Sequence, residues 1–357
     1  PYLEMLRLVR TLGTLNFDEL QMFGMQLTDW HEFDRIVGKI ETFRTAKMKC
    51  RGMGRTFKTE YFRKELTDIF RERIARGETK TRESRDASLE KFLRTQSNNM
   101  RDYADACFRY LRATGLVNVS HVGKSLSIVR ERMEDVDYIL QTVEREPCFV
   151  DDERSYAAYL GNVDVPMLLT DDRQRLIEKL HTEFPGKKFR QDADIINLKD
   201  AYAALTEQRK SASLCKQARD IKDYKLYDDI QHTFGLIRRK ELYDLPLMLE
   251  WNTWRAMTML DGGEVKANLS FDDFGRPLST AQGNVADIVC DYGDYMLSVE
   301  VTMASGQRQY ETEGEPVSRH LGKMKKACGK PCYCLFIAPA INEACIAHFY
   351  ALHKMNI

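Results

Sequence analysis

No run of apolar residues in this chain approaches the length of a membrane span, and no charged-then-apolar leader is visible at its start. No membrane partner is therefore expected. Paired cysteine half-sites are also missing. The nine cysteines are an odd, scattered set, several inside apolar stretches, which excludes a disulfide scaffold and points to free thiols in a reducing, cytoplasmic compartment. Cys328, Cys332 and Cys334 form a C-x3-C-x-C group without a second half-site, so Pro331–Ala338 reads as a buried strand in preference to a zinc site. Net charge is absent too, with 54 Lys+Arg against 54 Asp+Glu. That balance hides an asymmetry. Residues 44–130 hold 21 Lys/Arg and 10 Asp/Glu, an excess of eleven that the remainder must offset. A basic segment joined to an acidic one suits a protein that grips a polyanion with one part and holds a metal ion with another.

What is present is most informative at Asn284–Thr302. The stretch reads as a β-hairpin turning at Tyr292-Gly293, since glycine accepts the positive φ of a tight turn. That turn pairs residue 289 with 296 and 287 with 298. Ser298, Glu300 and Thr302 share one face by period-two alternation, and Asp287 lies diagonal to Glu300, roughly 7–8 Å away. Two carboxylates can close such a gap over one small cation. Apolar neighbours around Asp287 make an unpaired charge there costly. A third acid belongs with them. Asp244 and Pro246 open a helix on which Leu247, Glu250, Trp251 and Trp254 fall at i, i+3, i+4 and i+7, so Glu250 lies within the apolar stripe. Arg255 is the alternative, structural partner for that glutamate.

The 357 residues allow two or three domains. Residues 1–82 read as short helices around a helix-turn-helix-like DNA-binding core, with a capping-box start at Asn16 and Glu19. Arg44–Arg55 reads as a basic, glycine-punctuated loop for phosphate. Residues 83–147 give a helix starting at Asn99, with Tyr103, Cys107, Tyr110 and Leu111 on one face, then two strands around Val122–Lys124, a winged-helix pattern. Lys47, Lys49, Arg51, Arg55, Lys58, Arg101, Arg109, Arg112 and Lys124 are the expected DNA-binding cations. Residues 148–215 read as a helical linker. Residues 216–357 form an α/β unit whose second helix runs from Pro316 to Lys326, followed by strand 331–338 and helix 341–355. The chain starts at Pro1 without a methionine and stops in what reads as an unfinished helix, so a truncated piece of a longer protein is expected.

The order helix-acid, hairpin-Asp, Glu-x-Thr, helix, strand resembles the PD-(D/E)xK nuclease core. Leu249–Trp254, Ala286–Ile288, Val299–Thr302 and Val317–Gly322 are similar to the AlwI-type restriction endonucleases, closely over 216–357 and more loosely before it. The resemblance implies a mostly α protein with winged-helix subdomains before an α/β PD-(D/E)xK core. It implies a type IIS or nicking deoxyribonuclease that binds a short asymmetric site in double-stranded DNA and hydrolyses it a few base pairs outside. By the same resemblance Glu250, Asp287 and Glu300 match the metal-binding acids, Glu313 and His320 match further catalytic positions, and Mg²⁺ is the cofactor, with Mn²⁺ as substitute. Thr302 stands where a lysine commonly completes the motif and cannot supply its charge. His320 and Arg319, read as close to a helix start after Pro316, would meet phosphate at the positive end of the helix dipole. Double-strand cleavage would call for a second copy or a small nuclease subunit. The competing reading is a DNA-binding regulator whose nuclease-like module only dimerises.

Overall fold

The computed structural model describes residues 2–50, 54–82, 84–162, 164–165, 167–190, 192–260 and 262–355, with only the backbone of Gly54 and Arg55. It is mostly helical with several small sheets and divides into two units, Pro1–Lys199 and Asp200–Ile357.

The first unit opens with α1 (Tyr2–Leu12), which buries Met5, Leu6, Leu8 and Val9 on one stripe. Gly13 ends it at a φ of 74° that a side chain would resist. Strand β1 (Thr14–Asn16) leads directly into α2 (Phe17–Met22), where Asn16 and Glu19 form the capping box expected from their spacing. Then follow α3 (Phe33–Lys49), α4 (Gly54–Ile69), α5 (Arg71–Ala75) and α6 (Leu89–Ala113). Because α3 runs to Lys49, most of the basic stretch from Arg44 is helix, not loop. Helix α6 begins ten residues before the expected Asn99: Ser88 caps it, and Phe92 and Leu93 extend its buried face backward. Cys107 and Leu111 lie on that face with Phe108. Tyr103 and Tyr110 do not; they are exposed.

After α6 come β2 (Val117–Ser120) and β3 (Ser125–Ile128), joined by a turn that holds Lys124 at a φ of 47°. The sheet order is β1-β3-β2, all antiparallel, so a strand from the first 82 residues completes the later hairpin. Helices α7 (Met133–Thr142), α8 (Glu153–Gly161) and α9 (Arg173–Glu183) finish this unit. Helix α10 (Ile195–Lys222) runs across the division and through position 215.

The second unit is built on α11 (Tyr227–Arg238), α12 (Leu245–Leu260) and a four-stranded sheet. Its strands are β4 (Glu264–Ala267), β7 (Ile288–Asp291), β8 (Met296–Val301) and β9 (Cys332–Ile337), in the order β4-β7-β8-β9; the short pair β5 (Ser270–Phe271) and β6 (Pro277–Ser279) lies apart. Helix α13 (Gln307–Ala327) connects β8 to β9, the parallel pair, and α14 (Glu343–Lys354) follows. Trp254, Met257 and Met259 of α12 pack against Ile288, Cys290 and Val299, so one helix and the two central strands share a core.

Two expectations change here. The hairpin between β7 and β8 has a four-residue connection, Tyr292–Tyr295. Asp291 accepts from the Gly293 N–H at 2.9 Å, and the rings of Tyr292 and Tyr295 stack at 5.0 Å. The register therefore pairs Ile288 with Val299 and Val289 with Ser298. Slipping by two residues leaves every side chain on its expected face. Helix α13 begins nine residues before Pro316, which sits inside it.

Candidate active site

Glu250, Asp287, Glu300, Glu313 and His320 come from α12, the approach to β7, β8 and α13. The observed register, continued by one residue beyond Ile288↔Val299, sets Asp287 directly across from Glu300 instead of diagonal to it. The Val301 N–H donates to Asp287 Oδ2 at 2.7 Å. On α12, Leu247 and Trp254 are buried and Glu250 is only 3% exposed between them, as the helical spacing required. The Ala281 N–H, from the loop before β7, donates to Glu250 Oε1 at 2.8 Å. Arg255 turns elsewhere: it pairs with Asp229, bonds Asn252 and lies over the Trp251 ring. Among the described residues no lysine or arginine pairs with Glu250, Asp287 or Glu300.

The electrostatics follow from that isolation. Burial, then the neighbouring Asp287, raises Glu250 to about 8. Burial raises Asp287 to about 6 against the opposing Val301 hydrogen bond, and Glu313 adds to the rise. Burial together with Asp287, Glu313 and Glu250 raises Glu300 to about 9. Repulsion between the acids thus adds to the effect of burial. Among the described residues, however, no three His, Cys, Asp or Glu side chains stand as a ready-made metal cage.

Helix α13 sets Glu313 and His320 on one face at i and i+7, with buried Val317 at i+4 between them. His320 Nδ1 meets Glu300 Oε1 at 3.0 Å, while its Nε2 is buried without a hydrogen-bond partner. Burial, then Arg319 and Lys323, lower its pKa. Since His320 lies mid-helix, the expected help from the helix dipole does not apply to it; α13 starts at Gln307, so Pro316 lies inside the helix and not at its N-terminus. Glu313 also lines an open cleft of about 450 Å³ with Met303, Arg308 and Thr312.

The sequence-predicted cations fare unevenly. Lys47 and Lys49 are exposed in the last turn of α3. Arg51 lies outside the described residues, as does the Arg55 side chain. Lys58 pairs with Asp18 at 2.6 Å, and Arg109 with Asp105 at 3.0 Å. Arg101 is exposed, and Lys124 half-buried at its turn. Arg112, expected on the surface, is 7% exposed: it falls beside Leu111 and Phe108 on the packed face of α6. Arg44 is taken up by Glu19 and the Thr14 carbonyl. Two contributors had no sequence signal, the Ala281 N–H and the Asn284 side chain that Arg319 binds. The joint placement of Glu313 and His320 did have one, in the helical spacing of 313, 317 and 320.

With this arrangement in view, the comparison with known families is decisive. The family model for the AlwI restriction endonuclease matches residues 3–357. The chain belongs to the AlwI restriction endonuclease family. It is thus a member of a family of type II restriction deoxyribonucleases. No curated protein sequence matches it. Among solved structures it is similar to the small subunit of the heterodimeric restriction endonuclease R.BspD6I, at 30% identity and a TM-score of 0.30, covering 36% of this chain. The match spans 64% of that subunit's length.

Proposed function

We propose that the chain is a Mg²⁺-dependent, site-specific DNA endonuclease of the type IIS or nicking kind. The observation that carries this reading is that half-buried Asp287 stands directly across from buried Glu300, with buried Glu250 within reach of the Asp287 charge, and that among the described residues no lysine or arginine pairs with any of the three. Such a group is costly as a structural feature, because buried charge needs a counter-charge or a proton. Hard carboxylate oxygens suit Mg²⁺, and Mn²⁺ as its substitute. Asp287 and Glu300 would hold the ion, with Glu250 beside them; when bound it supplies Lewis-acid charge to the phosphate and a more acidic water.

The protein's own groups account for the rest. Neutral His320, tethered through Nδ1 to Glu300, keeps Nε2 available to exchange a proton with a phosphate or leaving oxygen. Arg319, held by Glu315 and Asn284, stands beside it as a cation for the DNA backbone. The sequence α12, antiparallel β7–β8, α13, parallel β9 supports a PD-(D/E)xK core. In the first unit, the order β1-β3-β2 with β1 between two helices supports a winged-helix DNA-binding module, with Lys47, Lys49, Arg101 and Lys124 touching phosphate. Such contacts position the duplex, while base-edge contacts choose the site. A basic segment, residues 44–130, ahead of the acids fits cleavage a few base pairs outside an asymmetric site.

One catalytic centre cuts one strand, so a double-strand break calls for a second copy or a small partner subunit. Supercoiled plasmid incubated with the protein, with and without Mg²⁺, tests the proposal. Relaxed circles mark nicking and linear DNA marks paired cleavage. DNA that stays supercoiled while bound would instead favour a non-catalytic regulator.

A further inference from the structure

Thr302 stands where a lysine commonly completes the catalytic motif, two residues after Glu300 and just past the end of β8, where its N–H still donates to the Ile337 carbonyl at 3.0 Å. Thr302 is buried, at 9% exposure, and its hydroxyl has no charge to offer a phosphate. Its hydrogen bonds define a different task. Thr302 Oγ1 accepts from the Ala304 N–H at 3.0 Å and donates to Glu313 Oε1 at 2.8 Å. A hydroxyl has one proton. The Ala304 N–H can only donate, so that proton goes to Glu313. Thr312 also approaches Glu313 Oε1, at 3.2 Å, but its single proton has a nearer acceptor in the Arg308 carbonyl at 2.9 Å. Thr302 is therefore the donor dedicated to this carboxylate.

Glu313 is worth holding still. It rides on α13, whereas Glu300 and Asp287 belong to the hairpin, and its charge reaches both of them. A glutamate on a helix can swing through several rotamers. The relay from the Ala304 N–H through Thr302 to Glu313 fixes one oxygen, Oε1, to the end of the strand that carries Glu300. We propose that Thr302 is a positioning residue that replaces the lysine's charge with orientation, tying Glu313 of α13 to the end of the strand that carries Glu300. This rests on the nuclease reading above.

The test compares Thr302→Val and Thr302→Ser with the wild type, well below their melting temperatures. It follows single-turnover cleavage of saturating DNA in Mg²⁺, and DNA affinity in Ca²⁺. Thr302→Val keeps the shape and deletes the donor, so cleavage is expected to slow roughly ten-fold or more, the loss of one hydrogen bond to a charged group. DNA affinity should stay within about two-fold, and Thr302→Ser, which keeps the hydroxyl, should restore most of the rate. Wild-type speed in Thr302→Val, no recovery in Thr302→Ser, or a loss carried wholly by DNA affinity overturns the positioning role. A wild-type protein that cuts nothing in Mg²⁺ overturns the nuclease reading, and this inference with it.

Discussion

His320 and Glu300 meet through a single 3.0 Å contact between Nδ1 and Oε1, linking α13 to the central strand β8. It is not an ordinary ion pair. Burial and nearby cations lower the histidine's pKa, while burial and three acids raise the glutamate to about 9. Both shifts favour the uncharged partners at neutral pH, so a neutral hydrogen bond joins them.

Metal-free stability should accordingly depend on pH with an unusual sign. Glu250, Asp287 and Glu300 are raised when folded, to about 8, 6 and 9. Between the ordinary carboxylate range and these values the folded state binds more protons than the unfolded one, so stability falls as pH rises. Melting temperature in EDTA should drop between pH 5 and 9, and Mg²⁺ should recover most at the alkaline end. A flat or rising profile in EDTA would contradict the clustering of these acids.

Glu300→Gln should separate stability from activity. The amide cannot ionise, so the metal-free protein is expected to melt a few degrees higher at pH 8. Mg²⁺-dependent cleavage should vanish, with DNA binding retained. A variant that still cuts at the wild-type rate removes Glu300 from the centre; Asp287→Ala is expected to lose cleavage likewise.

In the core beneath the site, Ile288→Ala leaves a cavity against Trp254 and Val299, where Ile288 has no exposure. Urea denaturation should show a loss of about 2–5 kcal/mol. A loss under about 1 kcal/mol would mean that the helix and strands close over the gap.

DNA binding should report its cations through salt. Lys47→Ala with Lys49→Ala is expected to flatten the slope of log affinity against log salt by about two if both touch phosphate. Lys58→Ala should change it less, since its ammonium already serves Asp18 at 2.6 Å. Equal effects from both variants would show that the Asp18 pair opens on binding.

Periodicity carried the acids onto their faces even where details failed. Glu250 was legible because its stripe neighbours Leu247 and Trp254 are apolar, and Glu300 because strands alternate. The wrong turn length did no harm, since a two-residue slip preserves the face. Pro316 misled more seriously. A proline within a helix resembles its start, and only packing of the preceding turns, with Gln309 and Gly314 buried, shows that α13 begins at Gln307. The cations were the least legible. A basic residue looks alike whether it pairs, as Arg44 with Glu19, is buried, as Arg112, or faces water, as Lys47.

The sequence by itself determined which residue types could form the centre and which face of each element they occupy, because side-chain period is a local property of the backbone. Only the tertiary structure decided that Asp287 stands opposite Glu300, that Arg255 turns to Asp229 and away from Glu250, and that Thr302 spends its proton on Glu313. Those outcomes depend on which distant groups compete for the same hydrogen bond or charge, and no spacing along the chain encodes that competition.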